Sequence, residues 1–199
     1  PSGDAKKDVI SRGFPISKAM DPMTLIAFEM NGKPLSPLHG YPARIICPGY
    51  PASASGKWLK RLWIRNRVHD GEKMTGGAYQ VPKYPIKPGD SVSEKDMKII
   101  EKMPVKSIIT FPKSGSKISF KNKIEVRGFA WTGEEKVTKV DISFDHGQTW
   151  VATKLELAAN PFAWQRWRVN IKVPSKGYYE IWARATDTTG RCQSMIIPG

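Results

Sequence analysis

Six residues of this chain have the types and spacing to do chemistry: His39, Arg44, Ser55, Gly56, Lys57 and Tyr79. His39 and Arg44 flank a Gly40-Tyr41-Pro42 turn. The apolar run Ile45, Ile46 and Cys47 follows, then a Pro48-Gly49 break, then a loop of small residues that closes on Ser55, Gly56 and Lys57. Arg44 and Lys57 carry fixed positive charge, and His39 adds a donor that switches with pH. A small-residue loop leaves backbone N–H groups free to face an anion. The pattern describes one wall of a pocket for a phosphate-bearing cofactor, gripped by charge-assisted hydrogen bonds. A basic surface hairpin is the competing reading, because short motifs recur without function. Tyr79 stands beside Gly76 and Gly77, where its hydroxyl is open to a pocket or its ring packs on a strand.

These side chains need elements to hold them. Residues 1–13 are polar, lysine-rich loop. Asp21 reads as a helix N-cap with Pro22 at the first helical position. Residues 25–30 are apolar enough for a strand or a short helix, and Asn31-Gly32 is a two-residue hairpin signal. Residues 39–57 then read as a turn, a buried strand and a glycine-containing loop. Residues 58–64 read as a strand against a core. The stretch 66–90 is punctuated by Asp70-Gly71, Gly76-Gly77 and Lys87-Pro88-Gly89, an irregularity that accompanies function or the wrapping of a neighbour. Residues 93–102 have charged, loosely helical character, and a domain boundary is expected at Met103-Pro104, dividing the chain into 1–103 and 104–199.

From Val105 the pattern changes. Seven short stretches, near 108–110, 117–120, 124–131, 137–144, 150–155, 164–173 and 178–185, alternate and are separated by turns. They predict an antiparallel β-sandwich of immunoglobulin-like kind, so the chain is mainly β. Residues 143–150 match an S-x-D-x-G-x-T-W hairpin in which Asp145 bonds back to turn amides, Gly147 takes positive φ and Trp150 packs beneath. A single copy reads as structural, with His146 exposed at its tip. Asp187 is the expected acceptor of a second turn, ending at Gly190.

Composition narrows the function classes. In 199 residues, seven Trp, seven Phe and six Tyr supply a real core, which excludes a disordered chain. Cys47, expected as a buried thiol, and Cys192 form neither a disulfide framework nor a paired zinc motif, and His39, His69 and His146 lack metal-ligand spacing. No apolar run reaches the ~20 residues of a membrane span. The net charge of +14 draws small anions and acidic partners. It is spread along the chain, so nucleic-acid binding, which would rest on charge alone, is not expected. Nucleotide-loop, zinc-protease and nucleophile-elbow motifs are absent, leaving no complete active site within these residues.

Several stretches resemble one family. Met20-Asp21-Pro22, residues 27–35, residues 39–44, residues 47–50 and Lys57-Trp58-Leu59 are similar to the second half of the molybdopterin domain of sulfite oxidases. Residues 104–109, 128–133, 140–143 and 164–167 resemble that family's immunoglobulin-like dimerisation domain. The order and gaps are family-like along nearly the whole chain, and residues 78–82 look closer to bacterial sulfite or sulfane dehydrogenases than to the animal enzymes.

The resemblance implies an α+β molybdopterin-binding domain, present in part, followed by the β-sandwich. It implies that His39, Arg44, Ser55, Gly56 and Lys57 hold the molybdenum-molybdopterin cofactor and that Tyr79 faces the metal and a sulfite-like oxyanion. It further implies transfer of an oxo group to sulfur, release of electrons to a haem, often on a partner cytochrome c, a homodimer or a complex with the missing N-terminal half, and a periplasmic location. The family's molybdenum-ligating cysteine and its flanking arginine lie N-terminal to these residues. Cys47 does not occupy the ligand position, so no metal ligand is assigned here. The family also continues beyond Gly199. The chain is therefore read as a fragment, a partly covered protein or a subunit completed by another chain. A non-catalytic module that binds a partner and dimerises through Trp131, Trp164 and Trp167 is the rival from another class.

Overall fold

A computed structural model describes residues 10–84, 86 and 90–194. They divide into two compact units, one up to Met103 and one from Pro104. The expected Lys87-Pro88-Gly89 turn, and most of the expected N-terminal loop, lie outside the described residues.

In the first unit a one-turn helix, α1 (Ile16–Ala19), is followed by short strands β1 (Leu25–Ala27), β2 (Glu29–Met30) and β3 (Lys33–Pro34). Asn31 and Gly32 have φ of 55° and 73°, and β2 pairs with β3 around them. That is the positive-φ pair a tight hairpin of matching twist requires. Asp21 does not cap a helix. It follows α1, and its carboxylate accepts from the Lys18 ammonium at 2.7 Å and the Met23 N–H at 2.8 Å. A short carboxylate closes a turn on the amide two residues ahead more readily than it starts a helix there.

Strand β4 (Arg44–Ile46) lies antiparallel to β1, with Ile26 opposite Ile45. The core of this unit is small: Leu35, Ile45, Cys47, Tyr50, Ala54 and Met74 are buried, and Phe14 packs edge-on against Tyr50. Residues 58–64 do not form the expected strand against a core. They carry no ladder, and Leu62, Trp63 and Ile64 are exposed. The turn-rich stretch supplies a second short helix, α2 (Glu72–Thr75), and strand β5 (Gln80–Pro82). The expected loosely helical stretch at 93–102 is instead a single 3-10 turn followed by β6 (Met97–Ile99), which pairs with β5. Cross-strand pairing overrides local helical character here.

The second unit contains β7 (Lys106–Phe111), β8 (Ile124–Trp131), β9 (Val137–Ser143), β10 (Val151–Ala152), β11 (Lys154–Leu155), β12 (Gln165–Ile171) and β13 (Trp182–Asp187). They form a four-stranded sheet in the order β11-β12-β8-β7 and a three-stranded sheet in the order β10-β9-β13. The facing sides bury Val126, Ala130, Val140, Ile142, Trp167, Ile171 and Ala185 in one core. Of the seven expected stretches, 117–120 is not a strand, and 150–155 divides into β10 and β11.

Trp167 is a core residue rather than interfacial surface. It is admitted by Gly128, where a Cβ would stand 1.9 Å from the Ile108 carbonyl oxygen and 2.6 Å from the Trp167 ring. Any side chain at 128 would push β7 and β8 apart. Trp131 and exposed Trp164 stack at 4.2 Å with an interplanar angle of 8°.

The β9–β10 hairpin shows how a turn is held without a core. Asp145 accepts from the Thr149 N–H at 2.9 Å, from the Thr149 hydroxyl and from the Ser143 hydroxyl at 2.7 Å. Gly147 has φ 82°, the Trp150 indole N–H reaches its carbonyl at 3.0 Å, and the Arg184 guanidinium lies 3.9 Å from the Trp150 ring centroid. The donors from Thr149 and Ser143 hold the Asp145 carboxyl at about 2, below its ordinary 3.8. Because the folded value is depressed, its contribution to stability is present above about pH 4 and is lost as pH falls through about 2. Asp145→Asn is expected to lower the melting temperature at neutral pH, and the gap from wild type should close between about pH 4 and pH 2. Thermal melts of both proteins across that range measure it.

Candidate functional site

Arg44 is the hub of the first unit's basic cluster. It leaves β4 with its guanidinium between two chain segments, donating through Nη1 to the His39 carbonyl at 3.2 Å and through Nη2 to the Ser55 carbonyl at 3.4 Å. The loop that carries Ser55 folds back along β4. The Ile45 N–H meets the Gly56 carbonyl at 3.0 Å, and the Cys47 N–H meets the Ser55 hydroxyl at 2.9 Å. Small residues make this possible, since the loop backbone runs alongside a buried strand.

Lys57 closes the ring. Its ammonium donates to the Leu38 carbonyl at 2.9 Å and lies 4.6 Å from the Trp58 ring centroid, while the Trp58 indole N–H donates to the Pro37 carbonyl at 2.9 Å. Gly40, at φ 107°, lets the turn pass close beneath: a Cβ there would stand 3.0 Å from the Lys57 Cβ. His39 sits at the exposed end of a 3-10 turn, with Nδ1 2.8 Å from the Ser36 hydroxyl, which leaves Nε2 for another partner. His39, Arg44, Ser55, Gly56 and Lys57 thus share one hydrogen-bonded knot.

The knot has unspent donor capacity. The Arg44 Nε is buried and has no hydrogen-bond partner. Lys57 uses one of its three N–H donors on Leu38. Among the described residues no carboxylate is paired with Arg44, Lys57 or His39. Two cations with spare donors and no carboxylate partner make a positive setting that suits an anion.

Tyr79 makes its contacts elsewhere in the unit. It ends a 3-10 turn at the start of β5, and its carbonyl accepts from the Ile100 N–H at 3.0 Å. Two cations flank its ring, the Lys73 ammonium at 5.0 Å from the centroid and the Arg12 guanidinium at 5.8 Å. A hydrogen bond to the Tyr79 hydroxyl holds the Lys73 ammonium above its ordinary value. Burial pushes the Arg12 guanidinium below its ordinary value, against the pull of Glu101 and Tyr79. Arg12 donates to the Lys73 and Ile100 carbonyls, tying the N-terminal segment to both sides of the tyrosine. The contacts found therefore make two clusters, an anion grip around Arg44 and a phenol between two cations.

Arg12 and Lys73 were not among the expected site residues. Arg12 stands in a polar, lysine-rich segment where one more cation carries no signal. Lys73 lies in an irregular stretch whose one-turn helix has no periodicity to reveal which way it points.

Comparison with known proteins finds matches in both parts of the chain. The family model described as an oxidoreductase molybdopterin binding domain matches residues 2–73, and that described as a Mo-co oxidoreductase dimerisation domain matches residues 97–197. The chain is 32% identical over 198 residues to the mitochondrial sulfite oxidase of Drosophila melanogaster, covering 90% of this chain and 34% of that protein. It is 31% identical over 173 residues to the mitochondrial sulfite oxidase of Homo sapiens, covering 81% and 30%. The crystal structure of the sulfane dehydrogenase SoxCD from Paracoccus pantotrophus superposes with a TM-score of 0.77 at 30% identity, covering 96% of this chain and 46% of that one. The chain spans about a third of the length of these curated relatives.

Arg44→Lys removes the bridge between two carbonyls while keeping the charge, since an ammonium cannot fork. Faster amide exchange at Ser55 to Trp58, with the β8–β12 ladder unchanged, is the expected outcome in hydrogen-exchange mass spectrometry. Equal protection in both proteins would show that the bridge does not hold the loop.

Proposed function

The chain belongs to the sulfite oxidase family, and from that membership we propose that it is part of a molybdopterin-dependent oxidoreductase acting on sulfite or a related small sulfur oxyanion. The observation that carries this reading is the Arg44 knot, whose cations Arg44 and Lys57 lie together with His39 and have no carboxylate partner among the described residues.

The donor set fits a phosphate-bearing pterin. Arg44, Lys57 and His39 offer charged or switchable N–H groups to the phosphate, and the Ser55-Gly56 backbone lets it approach closely. The molybdenum cofactor, when bound, supplies the two-electron oxygen-atom transfer that no side chain provides. The protein's part is position and potential. Tyr79 presents a hydroxyl that holds or moves a proton at the substrate oxyanion, and Lys73 and Arg12 beside its ring add positive charge that draws an anionic substrate.

Electrons leave to a haem on a partner, a cytochrome c in this reading, and a net charge of +14 favours an acidic docking face. The second unit, matched by the dimerisation domain, supports an oligomer or complex, and two copies of the chain are the assembly we favour. A periplasmic location goes with the bacterial character of residues 78–82.

Metal and pterin analysis of the intact protein from its source is expected to return one molybdenum and one molybdopterin per chain. A fully active preparation lacking both would refute the reading. Tyr79→Phe is expected to lower kcat by about 10²–10⁴-fold with pterin content unchanged. An unaltered kcat across the pH range would remove Tyr79 from the reaction.

A further inference from the structure

One end of the second unit gathers lysines that no described carboxylate pairs with. Ile124, which opens β8, faces Ile171 at the close of β12, and Ser143 at the close of β9 faces Trp182 at the start of β13. The connections 112–123 and 172–181 therefore emerge at the same end of the sandwich, together with the β9–β10 hairpin. They carry Lys113, Lys117, Lys121, Lys123, Lys172 and Lys176, all exposed. Among the described residues none of the six has a carboxylate within ion-pair distance. The carboxylates at this end are engaged elsewhere. Asp145 accepts from Thr149 and Ser143, Glu180 accepts from the Trp182 indole N–H at 2.7 Å, and Glu125 pairs with Arg127 at 3.2 Å.

Apolar groups stand among the lysines. Ile118 and Phe120 lie between Lys117 and Lys121 in the chain and are 43% and 46% exposed. Tyr178 is 90% exposed, while beside it the Tyr179 hydroxyl donates to the Ser175 carbonyl at 2.9 Å and steadies the loop. The 112–123 connection is turned near its start by Gly115, at φ 74°, with the Ser116 N–H on the Lys113 carbonyl at 3.1 Å. Lysines interleaved with aromatic and branched side chains suit a surface that meets phosphates with its charges and the headgroup boundary with its rings.

We propose that this end of the second unit docks peripherally on an anionic lipid bilayer, with the lysines at phosphate level and Ile118, Phe120 and Tyr178 in the headgroup layer. Charge complementarity selects the occupant. A second copy would bring the same lysines and be repelled. An acidic protein is recognised best through arginine forks that match carboxylates, and residues 112–123 and 172–181 contain six lysines and no arginine. A nucleic acid would engage the lysines through its phosphates and leave Ile118 in water. A fluid layer of anionic headgroups demands no fixed geometry and takes charged and apolar groups together.

The inference stands apart from the redox reading, and its test needs no turnover. Intact protein is sedimented with vesicles of phosphatidylcholine alone or with about a third of the lipid replaced by phosphatidylglycerol. Anionic vesicles are expected to bind at least about 10-fold more tightly at low salt, and about 0.5 M salt should remove most of that preference. Lys117→Glu with Lys121→Glu should weaken binding at least about 10-fold. Lys136→Glu with Lys154→Glu, the same change of charge on exposed lysines outside these loops, should weaken it less than about 3-fold. Phe120→Ser should weaken it at least about 3-fold. Equal binding of wild type to both vesicles, binding to neither, equal loss in the two double variants, or an unaffected Phe120→Ser would each overturn the proposal. So would a photo-crosslinking amino acid in place of Phe120 that captures an acidic protein or a second copy, and no lipid, in the source cells.

Discussion

A single guanidinium, Arg44, joins the carbonyl of the turn before β4 to the carbonyl of the loop after it. Around it the first unit acquires what geometry it has at the site. The loop is pinned along β4, Lys57 is delivered over Gly40, and His39 is held at the mouth of the turn. The arrangement is costly by itself, because a buried Nε goes without a partner. Cations with donors left over and no carboxylate among the described residues are what an anion-binding wall looks like from the protein side.

The two units solve the problem of stability differently. The second has two sheets sharing one continuous apolar core, with Trp167 threaded past Gly128 and a long in-register ladder between β8 and β12. It needs nothing else to account for its fold. The first has few buried side chains, strands of two and three residues, and exposed apolar groups on β1 and at 62–64. A unit with so small a core buries a smaller fraction of its surface and is correspondingly marginal. The chain spans about a third of the length of the sulfite oxidases it matches.

Much of the fold was legible locally. Asn31-Gly32 announced its hairpin because only positive φ at both positions matches strand twist. The acceptors Asp145 and Asp187 announced their turns because the bonds run to residues two to four away. The expected cofactor residues carried a weaker signal, five positions within one stretch, and the fold gathers them because that stretch doubles back on itself. Misreadings arose where a distant partner decides. Asp21 had both a helix and a turn open to it, residues 93–102 became strand only because β5 is there to pair, and Trp167 was read as surface because strand pattern does not say which face is inward. Residues 58–64 have the composition of a strand, and they form no ladder because pairing with the described chain stops at the Leu59 N–H, which bonds the Ala43 carbonyl.

By itself, then, the order of residues determined a predominantly β chain, the two hairpin turns, the gathering of His39, Arg44 and Lys57 in one stretch and a likeness to one family. Each of these depends on neighbours in sequence or on a pattern that survives without coordinates. Only the tertiary structure decided that Arg44 spends its donors on two backbone carbonyls, that Tyr79 stands between Lys73 and Arg12, and that Leu62 to Ile64 is left bare. These follow from which segments lie side by side, and a guanidinium or a phenol acquires its role from groups far away along the chain.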